Sequence, residues 1–212
     1  EPVYEDKEGG TWVSALTNFT ITANDEEVGV KKIIYQIDDG EETEYKSPFT
    51  LESECQDENP LHSIDYYSID YLLNDEEPKT QEVMLDCAAP SIRILNPNLN
   101  ERNIEKCSQS IVAIVGDSGS GVKKVWAELW NETGKAREVE MSLSIYNTYE
   151  ALMDKQLSAG AYTLKVMAED NVGNVYVENI DEILLNSVYV EFISPAICSI
   201  DSEEGGQCDF TF

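Results

Sequence analysis

The chain repeats itself, and the repeat sets the size of the unit that must fold. Gly29-Val30-Lys31-Lys32-Ile33 returns as Gly121-Val122-Lys123-Lys124-Val125, 92 positions later. Each copy has an aspartate four positions before its glycine, Asp25 and Asp117. A second landmark, His62-Ser63-Ile64-Asp65-Tyr66-Tyr67-Ser68-Ile69-Asp70, matches Tyr162-Thr163-Leu164-Lys165-Val166-Met167-Ala168-Glu169-Asp170 at an offset of 100. Asn74 and Asn174 follow in step. A third unit starts and does not finish. Ser187 to Ile193 parallels Pro90 to Leu95, and Cys208 to Phe212 parallels the run that begins at Cys107. The expected division is residues 1–87, 88–186 and an incomplete 187–212.

Within each unit apolar side chains alternate with a period of two, which argues for half-buried strands. The first unit is expected to place strands at 12–23, 31–38, 42–46, 48–52, 61–71 and 79–87. The second is expected to place them at 90–95, 107–116, 122–130, 136–143, 147–154, 160–169 and 174–185. Residues 150–157 also permit one helical turn. Asp38-Asp39-Gly40, Ser47-Pro48, Asn131-Glu132-Thr133-Gly134 and Ser158-Ala159-Gly160 punctuate the pattern as turns. About seven short strands per unit of about 90–100 residues describes a Greek-key sandwich. The predicted fold is all-β, with tandem immunoglobulin-like β-sandwiches. Ile64, Tyr66, Leu164 and Val166 are expected to point inward.

Charge narrows the partners. Forty-two acids against fourteen bases give a formal charge of −28. Such a surface repels phosphate backbones and anionic lipid, so nucleic acid is excluded. A domain this acidic repels itself, and salt or divalent cations relieve that repulsion. No run approaches the roughly 18 apolar residues of a membrane span. The opening Glu1-Pro2-Val3-Tyr4 reads as the start of a mature or excised fragment. Five cysteines without a Cys-x-x-Cys pair fit disulfides in an oxidising compartment better than zinc. Cys55 precedes one predicted strand and Cys87 ends the next, so both lie at one pole of an antiparallel pair and are expected to bond. By the same logic Cys198 is expected to pair with Cys208. That leaves Cys107 free or bonded outside the chain.

Two patterns carry a resemblance over nearly the whole chain. One runs Thr17-x-Phe19-Thr20-x-x-Ala23-x-Asp25-x-x-x-Gly29-Val30, then Tyr35-x-Ile37-Asp38-x-Gly40 and Tyr45-x-Ser47-Pro48-Phe49. The other is His62-x-Ile64-x-Tyr66-x-Ser68-x-Asp70, echoed by Ala168-Glu169-Asp170-Asn171-Val172-Gly173-Asn174. Together they resemble the Ig-like repeats of archaeal and bacterial surface proteins of the S-layer type and of surface-attached hydrolases. The resemblance implies a spacer, adhesive or lattice-forming role with no active site. The first unit lacks the glycine of the Asp-Asn-x-Gly-Asn turn, having Leu73 there, so a looser turn is expected.

The chemistry-bearing residues each have a plain structural reading. His62 is the single histidine, and its repeat equivalent is Tyr162, so a structural role is expected over a catalytic triad. Asp25, Asp70, Asp117 and Asp170 end strands at the poles of their units. They suit Asx turns, in which a carboxylate accepts backbone N–H groups. Asp86, Asp117 and Asp170 also suit a calcium site at the junction of the two units. Asn18 and Asn131 stand in glycosylation sequons, Asn131 at a predicted hairpin turn and Asn18 in a predicted strand. Trp12, Trp126 and Trp130 fit core packing or glycan stacking.

The function expected from these residues is a non-catalytic extracellular structural module of a prokaryotic surface protein, in a rod, lattice or filament. Its partners would be protein: other copies, or neighbouring domains. The competing expectation is an accessory glycan- or protein-binding module of a secreted enzyme. No cofactor is expected beyond the calcium just named. The two strands of the third unit, near 188–193 and 207–212, would need completion by further chain or by strand addition from a neighbour.

Overall fold

The structure is a computed structural model that describes residues 3–56, 59–97, 103–104, 110–152, 157 and 160–185. The strands are β1 (Tyr4–Glu5), β2 (Thr11–Ser14), β3 (Val30–Ile37), β4 (Thr43–Glu44), β5 (Leu61–Asp70), β6 (Lys79–Asp86), β7 (Ser91–Asn96) and β8 (Asn103–Ile104). They continue with β9 (Ser110–Gly116), β10 (Val122–Asn131), β11 (Gly134–Glu140), β12 (Ser142–Ile145), β13 (Thr148–Leu152), β14 (Gly160–Asp170) and β15 (Val175–Leu185). The helical exception among the described residues is one 3-10 turn at Glu52–Gln56. No helix there is long and apolar enough to cross a membrane.

Residues 91–185 form a two-layer sandwich. One sheet has the order β11-β10-β14-β15-β8 and the other β12-β13-β9-β7. All pairs are antiparallel except β15 with β8. In immunoglobulin lettering this is C′-C-F-G-A′ facing D-E-B-A, which is the Greek-key arrangement. Alternation puts Ile111, Ala113 and Val115 of β9 against Val125, Ala127 and Leu129 of β10 and Leu164 and Val166 of β14, all buried. Truncating a residue as enclosed as Leu164 removes about 2–5 kcal/mol.

Residues 4–86 repeat one of these layers, in the order β1-β2-β6-β5-β3-β4. β2 runs parallel to β6, as β8 does to β15. Among the described residues the second layer is reduced to a bridge between Phe19 and Phe49. Their rings stack at 5.5 Å, and Tyr35 stacks on Phe49 at 4.2 Å. Val13, Leu51, Val83 and Leu85 form one buried cluster here, and Ile34, Ile64 and Ile69 are buried outside it. So small a core is where a disulfide contributes most. Cys55 and Cys87 are joined, across a Cα separation of 5.8 Å. No strand pairing among the described residues crosses from β1–β6 to β7–β15.

Several expected strands are corrected. The strand foreseen at 12–23 stops at Ser14, because the Thr17 hydroxyl accepts the Ser14 N–H and turns the chain toward the other layer. The strand foreseen at 48–52 gives way to the 3-10 turn after the Phe49 bridge. The strand foreseen at 136–143 divides at buried Met141, whose N–H bonds the Val125 carbonyl, so β11 and β12 join different sheets. The strand foreseen at 147–154 is present over Thr148–Leu152, and residues 153–156 of the stretch that also permitted a helical turn lie outside the described residues. The turn expected to be looser without its glycine makes the same bonds as its counterpart, with Leu73 at φ 71° where Gly173 has φ 92°. Ile64, Leu164 and Val166 are buried as expected, whereas Tyr66 is half-buried. Cys107, Cys198, Cys208 and the strands foreseen at 188–193 and 207–212 lie outside the described residues.

Candidate metal centre at the junction

β6 ends at Asp86, and only Cys87 to Pro90 separate it from β7. That short link carries the Asp86 carboxylate into the turns of the second half. Asp117 follows β9 and Asp170 ends β14, so an immunoglobulin topology puts both at the pole facing Asp86. One carboxylate oxygen from each of Asp86, Asp117 and Asp170 lies within 4.8 Å of the other two.

Each carboxylate is fixed by N–H donors. Asp86 accepts Ala88 N–H at 3.1 Å and, across the junction, Ser120 N–H at 2.7 Å. A Cβ on Gly119 would fall 2.3 Å from the Asp86 carboxyl carbon, so only glycine lets the two halves approach here. Asp117 Oδ2 accepts Gly119 and Gly121 N–H at 3.0 and 2.8 Å. Asp170 Oδ1 accepts Val172 and Asn174 N–H at 2.9 and 2.8 Å, and its Oδ2 accepts the Asn174 amide at 2.8 Å. These are the Asx turns foreseen from sequence.

The turns do not exhaust the site. Asp117 Oδ1 and Ser120 Oγ are buried, and neither has a hydrogen-bond partner. Asp86 and Asp170 are themselves buried. Three carboxylates this close repel by about 3 kcal/mol per pair at an effective dielectric near 20. Burial is the chief reason the Asp170 carboxyl is pushed above its ordinary value, and the Asp86 charge adds to that against the bonds from Asn174 and Val172. Leftover oxygen ligands and uncompensated negative charge fit a hard divalent cation, which takes oxygen donors in a tolerant geometry. An open cleft of about 390 Å³, lined by Trp12, His62, Leu85, Ser118 and Gly119 among others, leads to Asp86 from solvent.

The other sequence candidates fall elsewhere. His62 is buried and its Nδ1 lies 2.9 Å from Asp38 Oδ2, while Asp38 Oδ1 accepts Ser63 N–H. That arrangement orders a hairpin and holds no nucleophile. Asn131 ends β10 in the hairpin turn, its side chain accepting Thr133 N–H at 2.9 Å. Asn18 lies in an exposed loop and not in a strand, because the chain has already turned at Thr17. Lys124 sits over the Trp126 ring at 5.0 Å and Lys165 over Trp130 at 4.6 Å, so one face of each ring is engaged by the chain itself. The Trp12 indole donates to Asp6 at 2.8 Å. Sequence reasoning missed Ser120, whose only signal was its place between the two glycines of the turn.

No protein-family model and no curated protein sequence matches the chain. Among solved structures, it is similar to the fibronectin(III)-like modules of CbhA from Clostridium thermocellum, at 13% identity over 83% of this chain and 89% of that one, with a TM-score of 0.47. It is also similar to a tetra-tandem repeat in the extending region of a large adhesion protein, at 12% identity over 82% of this chain and 48% of that one, with a TM-score of 0.38. A third likeness is to the D00-D0 domain of intimin, at 9% identity over 82% and 94% of the chains, with a TM-score of 0.31. These likenesses are remote, and the fold assignment rests on the strand order of the chain itself.

Proposed function

We propose that this chain is a non-catalytic extracellular structural segment of a surface protein. In this reading a calcium ion held by Asp86, Asp117 and Asp170 fixes the angle between two immunoglobulin-like sandwiches. The observation that carries it is the triad at a four-residue link, with Asp86 and Asp170 buried and the buried Asp117 Oδ1 left without a partner. An ion there ties the last strand of one sandwich to two turns of the next, which turns a hinge into a rod. The Cys55–Cys87 bond supports an oxidising exterior. The charge of −28 suits a surface that is solvated by salt and cations.

The test compares the wild type with Asp117→Asn in calcium and in chelator. Calcium at about 100 times its Kd stabilises by about 2.7 kcal/mol, or roughly 5–10 °C for a chain this size. Chelation is expected to lower the melting temperature by that amount and to broaden the small-angle scattering profile. Asp117→Asn removes one repelling charge and keeps an oxygen for Gly119 and Gly121. It is expected to melt above the wild type in chelator and to ignore calcium. Identical melts and profiles for the wild type in both buffers would leave the aspartates as turn caps only.

A further inference from the structure

β10 carries two tryptophans, and the alternation of a strand decides where they point. Val125, Ala127 and Leu129 are buried in the core, so Trp126, Glu128 and Trp130 face the other way, onto the outer surface of the β11-β10-β14-β15 sheet. Of the two roles the sequence allows these rings, core packing is excluded. Trp126 lies opposite Met167 of β14, and Met167 lies opposite Val177 of β15. Met167 is buried although it belongs to the outer face, and Val175 and Val177 beside it are 49% and 40% exposed. Trp126 and Trp130 stand four positions apart, about 13 Å along a strand.

The chain itself holds both rings in place. Trp130 Nε1–H donates to Glu128 Oε2 at 2.7 Å, and Lys165 sits over that ring. Lys124 sits over Trp126. Each lysine takes one ring face, and both rings are only half-buried, which leaves aromatic surface in reach of solvent. Rings fixed beforehand lose little freedom when a ligand stacks on them. The charges are paired as well. Lys135 bridges Glu128 and Glu138 at 3.1 and 2.7 Å. On this face Lys124, Lys135 and Lys165 meet Glu128, Glu138, Glu140 and Glu169, whereas the whole chain has 42 acids for 14 bases. The face is close to neutral on a molecule of formal charge −28.

We infer that this face binds an extended, uncharged glycan along β10. The C–H face of a pyranose ring is apolar and packs on an indole, while its hydroxyls donate to carboxylates and accept from ammonium groups. Two indoles at this spacing make two subsites. Glu128 and Lys165, directly opposite each other in register, supply the polar groups between them. An open sheet surface suits an extended chain. Near-neutrality suits an uncharged one, since a uronate or sulfated glycan would be repelled by the acidic surface around the face. The site stands apart from the cation at Asp86 and adds ligand capture to the structural role.

Titration of the full chain with cellohexaose, xylohexaose, mannohexaose and chitohexaose tests this, read by tryptophan fluorescence and calorimetry. A Kd of about 1 mM or tighter is expected for at least one of them. Trp126→Ala and Trp130→Ala are each expected to weaken it at least about tenfold. Trp130→Leu is the second arm, because it keeps apolar bulk on the sheet and removes the aromatic face. It is expected to melt like the wild type and still to lose binding. Trp12→Phe, in the other half, is expected to bind like the wild type. Binding to none of these sugars overturns the inference. So does binding that the Trp126 and Trp130 variants retain. Sedimentation covers the remaining case: a dimer that the same variants dissociate would make the face an interface between copies, and would overturn the inference too.

Discussion

The side-chain amide of Asn174 lies 3.1 Å from the main-chain carbonyl of Asp86 and 2.8 Å from the Asp170 carboxylate. One side chain thus closes its own turn and grips the last strand of the preceding sandwich. Asn74, its repeat equivalent, has the Asp70 bond and no interdomain carbonyl. Asn174→Ala strands a carboxylate and two carbonyls at a part-buried site, a loss of about 1–3 kcal/mol. Asn74→Ala, at an exposed turn, is expected to lose less. Thermal melts of the two variants give the contribution of the junction as their difference, and equal losses would show that the junction adds nothing.

Asp70 and Asp170 accept the same set of bonds and shift in opposite directions. Asp70 is held low, chiefly by the Asn74 amide, in an open turn. Asp170 is pushed up, chiefly by burial, with Asp86 adding. A carboxyl whose folded pKa is raised contributes stability below its unfolded value and loses it as pH rises through the folded value. In chelator, the wild type is therefore expected to gain stability relative to Asp170→Asn as pH falls through the interval just above the ordinary carboxylate range. In calcium the sign reverses, because protons then displace the ion. Melts over pH in both buffers check this, and the same slope in both would contradict it.

Cys87 is the neighbour of Asp86, so the disulfide holds the strand end that carries one of the three carboxylates of the proposed site. Breaking a bond that closes a loop of 32 residues is expected to cost about 3–4 kcal/mol. The double variant Cys55→Ser, Cys87→Ser should also show a smaller calcium-induced rise in melting temperature than the wild type. Calorimetry with and without calcium measures both effects. An unchanged rise would mean that β6 pairing alone positions Asp86.

What the sequence by itself determined is the local part of this protein. Period-two alternation marks Ile111, Ala113 and Val115 of β9, and Leu164 and Val166 of β14, as inward-facing wherever their strands pack. The repeat pairs Asp25 with Asp117 and Asp70 with Asp170, because each carboxylate bonds N–H groups two to four residues away. Strand breaks were less legible. Thr17 ends β2 and Met141 separates β11 from β12 because the chain must change layers there, and alternation continues through both points. Leu73 also escaped a local reading, since the Asp70 and Asn74 bonds outweigh the strain of a leucine in glycine's conformation. The expected topology already grouped Asp86, Asp117 and Asp170 at the junction, and only the tertiary structure decided that their oxygens lie within 4.8 Å of one another and which pole is covered. Asp86, Asp117 and Asp170 meet because a four-residue link and the sandwich topology carry them together. Burial and charge then act through distance in space, which no spacing along the chain encodes.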